Sequence, residues 1–316
     1  FKEIQGQEGA KRAAEIAAAG FHNILLIGPP GAGKTMLARR IPSIMPELAE
    51  EEAMELTKIY SIAGLLSEEA PLILKRPFRN PHHTSPPQAL TGGGRNPGPG
   101  EITLSHRGIL FLDEFPEFSR AALETLRQPL EDREIVLSRA SGTYRFPANF
   151  MLVAAMNPCP CGYYPDMNRC TCTAGQVSHY LGKISRPLLD RIDICTDIPA
   201  VTFSQMTKQE KGEGSFEMKA RVEKAQDIQK ERYKKEGIRF NGELTGKQIK
   251  KYCSCTKEGE RLLGMAFEKM KFSARSYHKV LRTARTIADL EGKEKIDSSH
   301  IGEALSCRAF DKKYWN

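Results

Sequence analysis

Eight residues, Gly28-Pro29-Pro30-Gly31-Ala32-Gly33-Lys34-Thr35, constrain this chain more than any others. They follow the short apolar run at 23–27, Asn-Ile-Leu-Leu-Ile, and lead into a helical stretch over 34–41. Small residues let a backbone wrap an anion, its N–H groups turn inward, and the helix N-terminus adds a positive dipole. The spacing G-x-x-x-x-G-K-T between strand and helix is a phosphate loop for a nucleoside triphosphate such as ATP. In it, Lys34 supplies charge to the β- and γ-phosphates and the Thr35 hydroxyl ligates Mg²⁺.

Three further apolar runs, 108–112, 150–155 and 192–198, alternate with helix-like pieces. Short continuous runs of this kind predict an α/β fold with a parallel sheet flanked by helices. The run at 108–112 ends in Asp113-Glu114. An aspartate there can hold Mg²⁺, and the neighbouring glutamate can orient and deprotonate an attacking water. Two adjacent carboxylates would otherwise repel each other. The run at 150–155 leads to Asn157, an uncharged polar residue able to hydrogen-bond the γ-phosphate or that water. Before the last run stand Arg186, Asp190, Arg191 and Asp193. An arginine here can reach the nucleotide of a neighbouring subunit, or pair within its own chain.

Residues 75–107 carry six prolines and a run of glycines, too irregular for a core element and too long for an ordinary connection. His82 and His83 in this segment are either metal ligands or hydrogen-bonding loop residues. Residues 132–147 read as a hairpin turning at Ser141-Gly142. After Pro199 the pattern becomes helical, with segments over 217–236, 273–291 and 298–306. Ser273 and Asp297 are candidate caps and Gly292 a candidate stop. The domain boundary therefore falls near 200, with an α/β core over 1–200 and a helical linker and lid over 201–316.

The net charge of +8 is concentrated in that second part: residues 201–316 hold 26 Lys and Arg against 17 Asp and Glu. Such a surface either attracts nucleic acid through phosphate contacts or is a solvated lysine-rich face. No run approaches a membrane span and no signal peptide opens the chain, so a cytoplasmic protein is expected. The start at Phe1 suggests a piece of a longer protein. Of eight cysteines, Cys159, Cys161, Cys170 and Cys172 cluster. Four soft ligands suit tetrahedral Zn²⁺; redox-active thiols and disulfides remain the alternatives.

Together these residues resemble magnesium-chelatase-like AAA+ proteins of the YifB/ComM branch, over nearly the whole chain. The resemblance is carried by residues 1–7 (Phe-Lys-Glu-Ile-Gln-Gly-Gln), the phosphate loop, and residues 76–84 (Arg-Pro-Phe-Arg-Asn-Pro-His-His-Thr). It continues through Gly92-Gly93-Gly94 and the stretches 108–118, 155–162, 187–193 and 283–292. It implies a P-loop AAA+ core followed by a C-terminal all-helical lid, assembled as a homo-oligomeric, hexameric ring. It implies that Glu114 is the Walker B glutamate, Asn157 the sensor-1 residue, Arg191 a finger acting in trans, and Arg275 the sensor-2 arginine. Residues 77–106 and 132–147 would be inserts facing the pore. Ser185-Arg186-Pro187 departs from an expected Ser-Gly-Pro, which puts a second arginine beside the finger. Members of the branch usually carry a preceding domain similar to the Lon protease domain.

The resemblance implies an Mg-dependent ATPase acting as a DNA translocase or branch-migration helicase. Arg79, Arg95, Arg107, Arg133, Arg139 and Arg145 in or beside the inserts suit sequence-independent phosphate contact. The alternative is a chelatase-type ATPase that remodels a protein partner without nucleic acid.

Overall fold

The apolar runs of the sequence are the buried strands of the computed structural model. It describes residues 1–4, 6–69, 71–94, 97–139, 142–200, 212–308 and 313–315. The chain forms two compact units, residues 1–46 with 192–316, and residues 47–191.

In the first unit the strand Ile24–Ile27 is wholly buried and pairs in parallel with Ile194–Asp197, Ile24 beside Ile194 and Ile27 beside Asp197. The helix Glu8–Gly20 precedes it, and its stripe of alanines is buried. Small side chains allow close approach, and this helix packs against the helices Ser215–Tyr233 and Ala274–Leu290. At Gly20 a Cβ would lie 2.2 Å from His22 Nε2, so a side chain there would have to displace the buried His22 ring. The composition changes near residue 200, yet the contacts group residues 1–46 with the C-terminal helices. The buried alanine stripe is the reason.

The C-terminal region is helical: Ser215–Tyr233, Gly246–Tyr252, Lys257–Met270, Ala274–Leu290 and Ser298–Ser306. Ser273 caps the fourth by accepting from Ser276 N, and Asp297 caps the fifth by accepting from the Ser299 and His300 amides. Gly292 takes φ +67°, as a helix stop requires. A buried polar network joins the first and fourth of these helices through Asn241. Arg232 donates to both Asp289 oxygens at 2.8 and 2.6 Å, Asn241 Nδ2 donates to the same carboxylate at 2.8 Å, and Arg285 Nε donates to it at 3.1 Å. Thr286 Oγ1 receives Asn241 Nδ2 and lies 2.7 Å from His22 Nε2, next to the first strand.

In the second unit the strand Ile109–Leu112 pairs in parallel with Met151–Met156 on one side and Phe78–Arg79 on the other. The first two are wholly buried. The hairpin joins Glu134–Arg139 to Gly142–Pro147 in antiparallel register. Its expected turn residue Ser141 lies outside the described residues, as does Arg95. The segment 75–107 is more ordered than its prolines suggest. It holds the strand Phe78–Arg79, the helix Pro87–Thr91, a pairing of Gly92–Gly93 with Gly98–Pro99, and the helix Glu101–Leu104. These pieces are too short for periodicity to reveal. Among the described residues no helix is long and apolar enough to cross a membrane.

The Asp289 carboxylate, 2% exposed, is held by two arginines. Removing one partner of such a buried pair strands the others, so Asp289→Ala should lower unfolding stability by about 3–5 kcal/mol. Urea unfolding followed by circular dichroism measures it, and an unchanged midpoint would show that the network contributes nothing.

Candidate nucleotide site and thiolate cluster

The phosphate loop begins where the strand Ile24–Ile27 ends. At Gly28 a Cβ would stand 2.2 Å from the Ile198 carbonyl oxygen, so a side chain there collides with backbone. Gly31 and Gly33 take φ +73° and +87°, left-handed values that glycine adopts without strain. Gly33 opens the helix Lys34–Arg40. Lys34 is buried, and its ammonium donates to the Gly28 and Pro29 carbonyls at 2.7 and 2.8 Å. A cation is thus anchored inside the loop, where phosphate oxygens can compete with those carbonyls for its protons. Thr35 follows, half-buried, in the first turn. Gln7 pins the loop from outside: its Nε2 donates to the Ala32 carbonyl at 2.7 Å and to the Pro199 carbonyl at 3.2 Å.

The same unit brings the helix Ala274–Leu290 to the start of the strand Ile194–Asp197. Lys279 Nζ donates to the Ile192 carbonyl at 2.8 Å, and Arg308 Nη1 donates to it at 3.0 Å. Asp193 accepts from the Asn23 amide at 3.1 Å and pairs with Arg282 at 3.4 Å. Burial alone would raise the Asp193 carboxyl, but Arg282, His22 and Lys279 outweigh it and hold the group well below the usual carboxylate range. Arg275 lies exposed in the first turn of that helix.

In the second unit Asp113 and Glu114 leave the end of the strand Ile109–Leu112. Asp113 is half-buried, and its Oδ1 accepts from the Glu114 amide at 3.0 Å. Glu114 takes φ +51°, unusual for a residue with a side chain, and its carboxylate reaches solvent. His83 Nδ1 stands 3.0 Å from Glu114 Oε2. Asn157 follows the strand Met151–Met156, half-buried.

Of the two arginines weighed for a trans role, Arg191 is held within its own chain. It pairs with Glu131, and its Nη1 donates to the Pro187 carbonyl at 2.6 Å. Arg186 is exposed at the start of the short helix Arg186–Leu189. Several insert arginines also have carboxylate partners. Arg79 forms a two-pronged pair with Glu101 at 2.7 Å, Arg107 pairs with Glu55 at 3.2 Å, and Arg145 pairs with Glu134 at 2.6 Å. Arg139 is exposed, with Nη2 3.3 Å from where a Cβ on Gly93 would stand. The hairpin and the glycine-rich segment therefore meet.

The four clustered cysteines converge. Their ligand atoms all lie within 4.8 Å of one another. Cys159 Sγ is 3.3 Å from that of Cys161 and 3.8 Å from that of Cys170, and Cys161 Sγ is 3.5 Å from that of Cys170. A metal with four thiolates at the zinc–sulfur distance needs sulfur separations of about 3.8 Å, so the cluster can hold a metal ion. Backbone amides point at the sulfurs: Cys161 N donates to Cys172 Sγ at 3.4 Å and Tyr164 N to Cys159 Sγ at 3.3 Å. Against the opposing effect of burial, the amides of Tyr163 and Thr171 and two neighbouring thiols bring Cys161 down to about 6. Cys170, despite the Cys172 amide, is pushed up to about 12 by burial and by Cys161 and Cys159. Sulfurs this close resist carrying charge together unless a cation neutralises them. His82 and His83 lie outside this metal-ligating group, and His82 Nδ1 is 2.8 Å from Thr84 Oγ1.

Residues 1–206 match the family described as magnesium chelatase, subunit ChlI, and residues 212–308 match its C-terminal part. The chain belongs to the magnesium chelatase ChlI family. Within that family it lies on the ComM/YifB side. It is 44% identical to competence protein ComM of Haemophilus influenzae over 310 residues, 97% of this chain and 59% of that protein. It is also 44% identical to YifB of Salmonella typhimurium, over 99% of this chain and 61% of that protein. The magnesium-chelatase 38 kDa subunit of Rhodobacter capsulatus is 25% identical over half of each chain. The chain thus spans about 60% of the length of its ComM and YifB relatives. The AAA+ fold class expected from the sequence is that of this family.

Two residues of the site escaped sequence reasoning as individuals. Gln7 carried the resemblance only as part of a run, and His83 was one of two loop histidines. Neither has a spacing that announces its partner, because both act across long stretches of chain.

The close approach at Gly28 gives a direct test. Gly28→Ala should destabilise the protein by about 1–3 kcal/mol and weaken nucleotide binding, since the clash is with backbone. Gly9→Ala, where a Cβ meets nothing within 4 Å, is the control and should be neutral or slightly stabilising. Thermal melting of both variants, with and without ATP, checks the pair.

Proposed function

We propose that this chain is the motor part of an Mg-dependent ATP hydrolase that assembles as a hexameric ring in the cytoplasm and acts on DNA. What supports ATP most is the Lys34 ammonium held inside a loop where only glycine fits at Gly28. Gly28 through Thr35 bind the triphosphate by backbone amides, Lys34 by charge. Thr35 and Asp113 would hold Mg²⁺, which neutralises phosphate charge when bound. Glu114 orients the attacking water and takes its proton. Asn157 hydrogen-bonds the water or the γ-phosphate. Arg275 acts from the helical lid. Arg191, once released from Glu131, stabilises transition-state charge on a neighbouring copy's nucleotide, and Arg186 stands beside it.

Translocation or branch migration of DNA draws support from the likeness to a protein named for competence, from the basic helical region, and from the meeting of the hairpin with the glycine-rich segment at Arg139. The pairing of Arg79, Arg107 and Arg145 with carboxylates narrows that support to fewer arginines. The second reading, remodelling of a protein partner without nucleic acid, is favoured by the likeness to a magnesium-chelatase subunit. ATPase assays with single-stranded, duplex and branched DNA separate the two. DNA should raise turnover, with the effect fading steeply in salt. Turnover indifferent to every DNA would favour the protein partner. Glu114→Gln should keep ATP binding and lose turnover, and wild-type rates in that variant would remove Glu114 from its role.

Cys159, Cys161, Cys170 and Cys172 hold structural Zn²⁺ in the same proposal. The ion would tie the loop after Asn157 into one rigid knot. Elemental analysis should find about one zinc per chain, and replacing Cys170 and Cys172 by serine should abolish it and lower the melting temperature. Fully folded protein without metal would reject the knot.

A further inference from the structure

Glu114 is an awkward residue to leave unrestrained. Its backbone is left-handed, its side chain is 61% exposed, and a glutamate has several rotatable bonds. Water activation needs one carboxylate oxygen aimed at one place. The strand Phe78–Arg79 supplies a restraint through its register. Arg79 lies beside Leu110 in a parallel pairing. Four residues beyond each stand His83 and Glu114, so parallel strands deliver both to the same end of the pair.

The observed contact follows from that delivery: His83 Nδ1 sits 3.0 Å from Glu114 Oε2. His83 is itself held. The His82 ring lies against it, tilted by 34° with 4.2 Å between centroids, and His82 is tied to Thr84. The two-pronged pair of Arg79 with Glu101 anchors the strand that leads to it. We propose that His83 is a positioning residue for Glu114. Its Nδ1–H donates to Oε2 and fixes the carboxylate, leaving Oε1 to accept the proton of the attacking water. A histidine suits this because its ring has two torsions and presents one donor in a fixed direction.

This inference rests on the proposed ATP hydrolysis, and steady-state kinetics on the whole chain tell the two apart. His83→Ala should lower kcat about 10- to 100-fold with KM for ATP nearly unchanged, the size expected when a supporting hydrogen bond is lost. His83→Asn, whose amide N–H can take the place of Nδ1, should restore most of the rate. His83→Gln, which carries its amide one bond further out, should not. In a Glu114→Gln background, His83→Ala should cost nothing more, because the two act as a unit. Melting temperatures close to wild type for the Asn and Gln variants keep the comparison meaningful if the alanine variant folds poorly. Wild-type kcat in both His83→Ala and His83→Gln, with Glu114→Gln inactive, overturns the role of His83 and leaves ATP hydrolysis standing. Full turnover in Glu114→Gln removes the hydrolysis scheme, and the inference with it.

Discussion

The chain turns out of its first strand directly against the Ile198 carbonyl, and that near-contact at Gly28 is what the phosphate loop depends on. No side chain can enter there. The loop must therefore pass as bare backbone, with Gly31 and Gly33 taking left-handed angles, and its carbonyls close around the Lys34 ammonium. Gln7 then bridges the loop to Pro199 and ties both ends of the unit to one geometry. The buried pairing of Ile24–Ile27 with Ile194–Asp197 makes the close approach possible, since it brings residues 28 and 198 side by side.

Charge organises the rest. Asp113 and Glu114 are adjacent carboxylates and the four cysteines are adjacent thiols, and each group sits at the exit of a buried strand. The carboxylates, and the thiols once ionised, repel one another, and a cation between them turns that repulsion into attraction. Elsewhere buried carboxylates gather several cations around them. Asp289 holds two arginines, and Asp193 is charged because Arg282, His22 and Lys279 surround it. Within the first unit, such contacts hold the helix Ala274–Leu290 in place, Thr286 against His22 beside the first strand and Lys279 on the Ile192 carbonyl.

Much of this was legible in the residues. The buried strands appeared as apolar runs within a residue or two of their ends, because a strand covered on both faces leaves no polar positions to confuse the signal. Ser273, Gly292 and Asp297 were readable as caps because capping chemistry is local. The short strand Phe78–Arg79 was not legible: two residues between prolines carry no period, and their place is set by pairing with Ile109–Leu112. The division into units was hidden for a related reason. Composition changes near residue 200, but the alanine stripe of Glu8–Gly20 packs against helices more than 190 residues away.

By itself the sequence determined the phosphate loop, the acidic strand end and the convergence of four thiols, since each is written in residues a few positions apart. Tertiary structure alone decided that Arg191 rests on Glu131, that Arg79, Arg107 and Arg145 already have carboxylate partners, and that His83 meets Glu114. The difference is one of range. A local pattern records what the backbone can do within a turn or two, whereas the partner of a charged side chain is chosen by whichever distant segment packing brings within 3–4 Å.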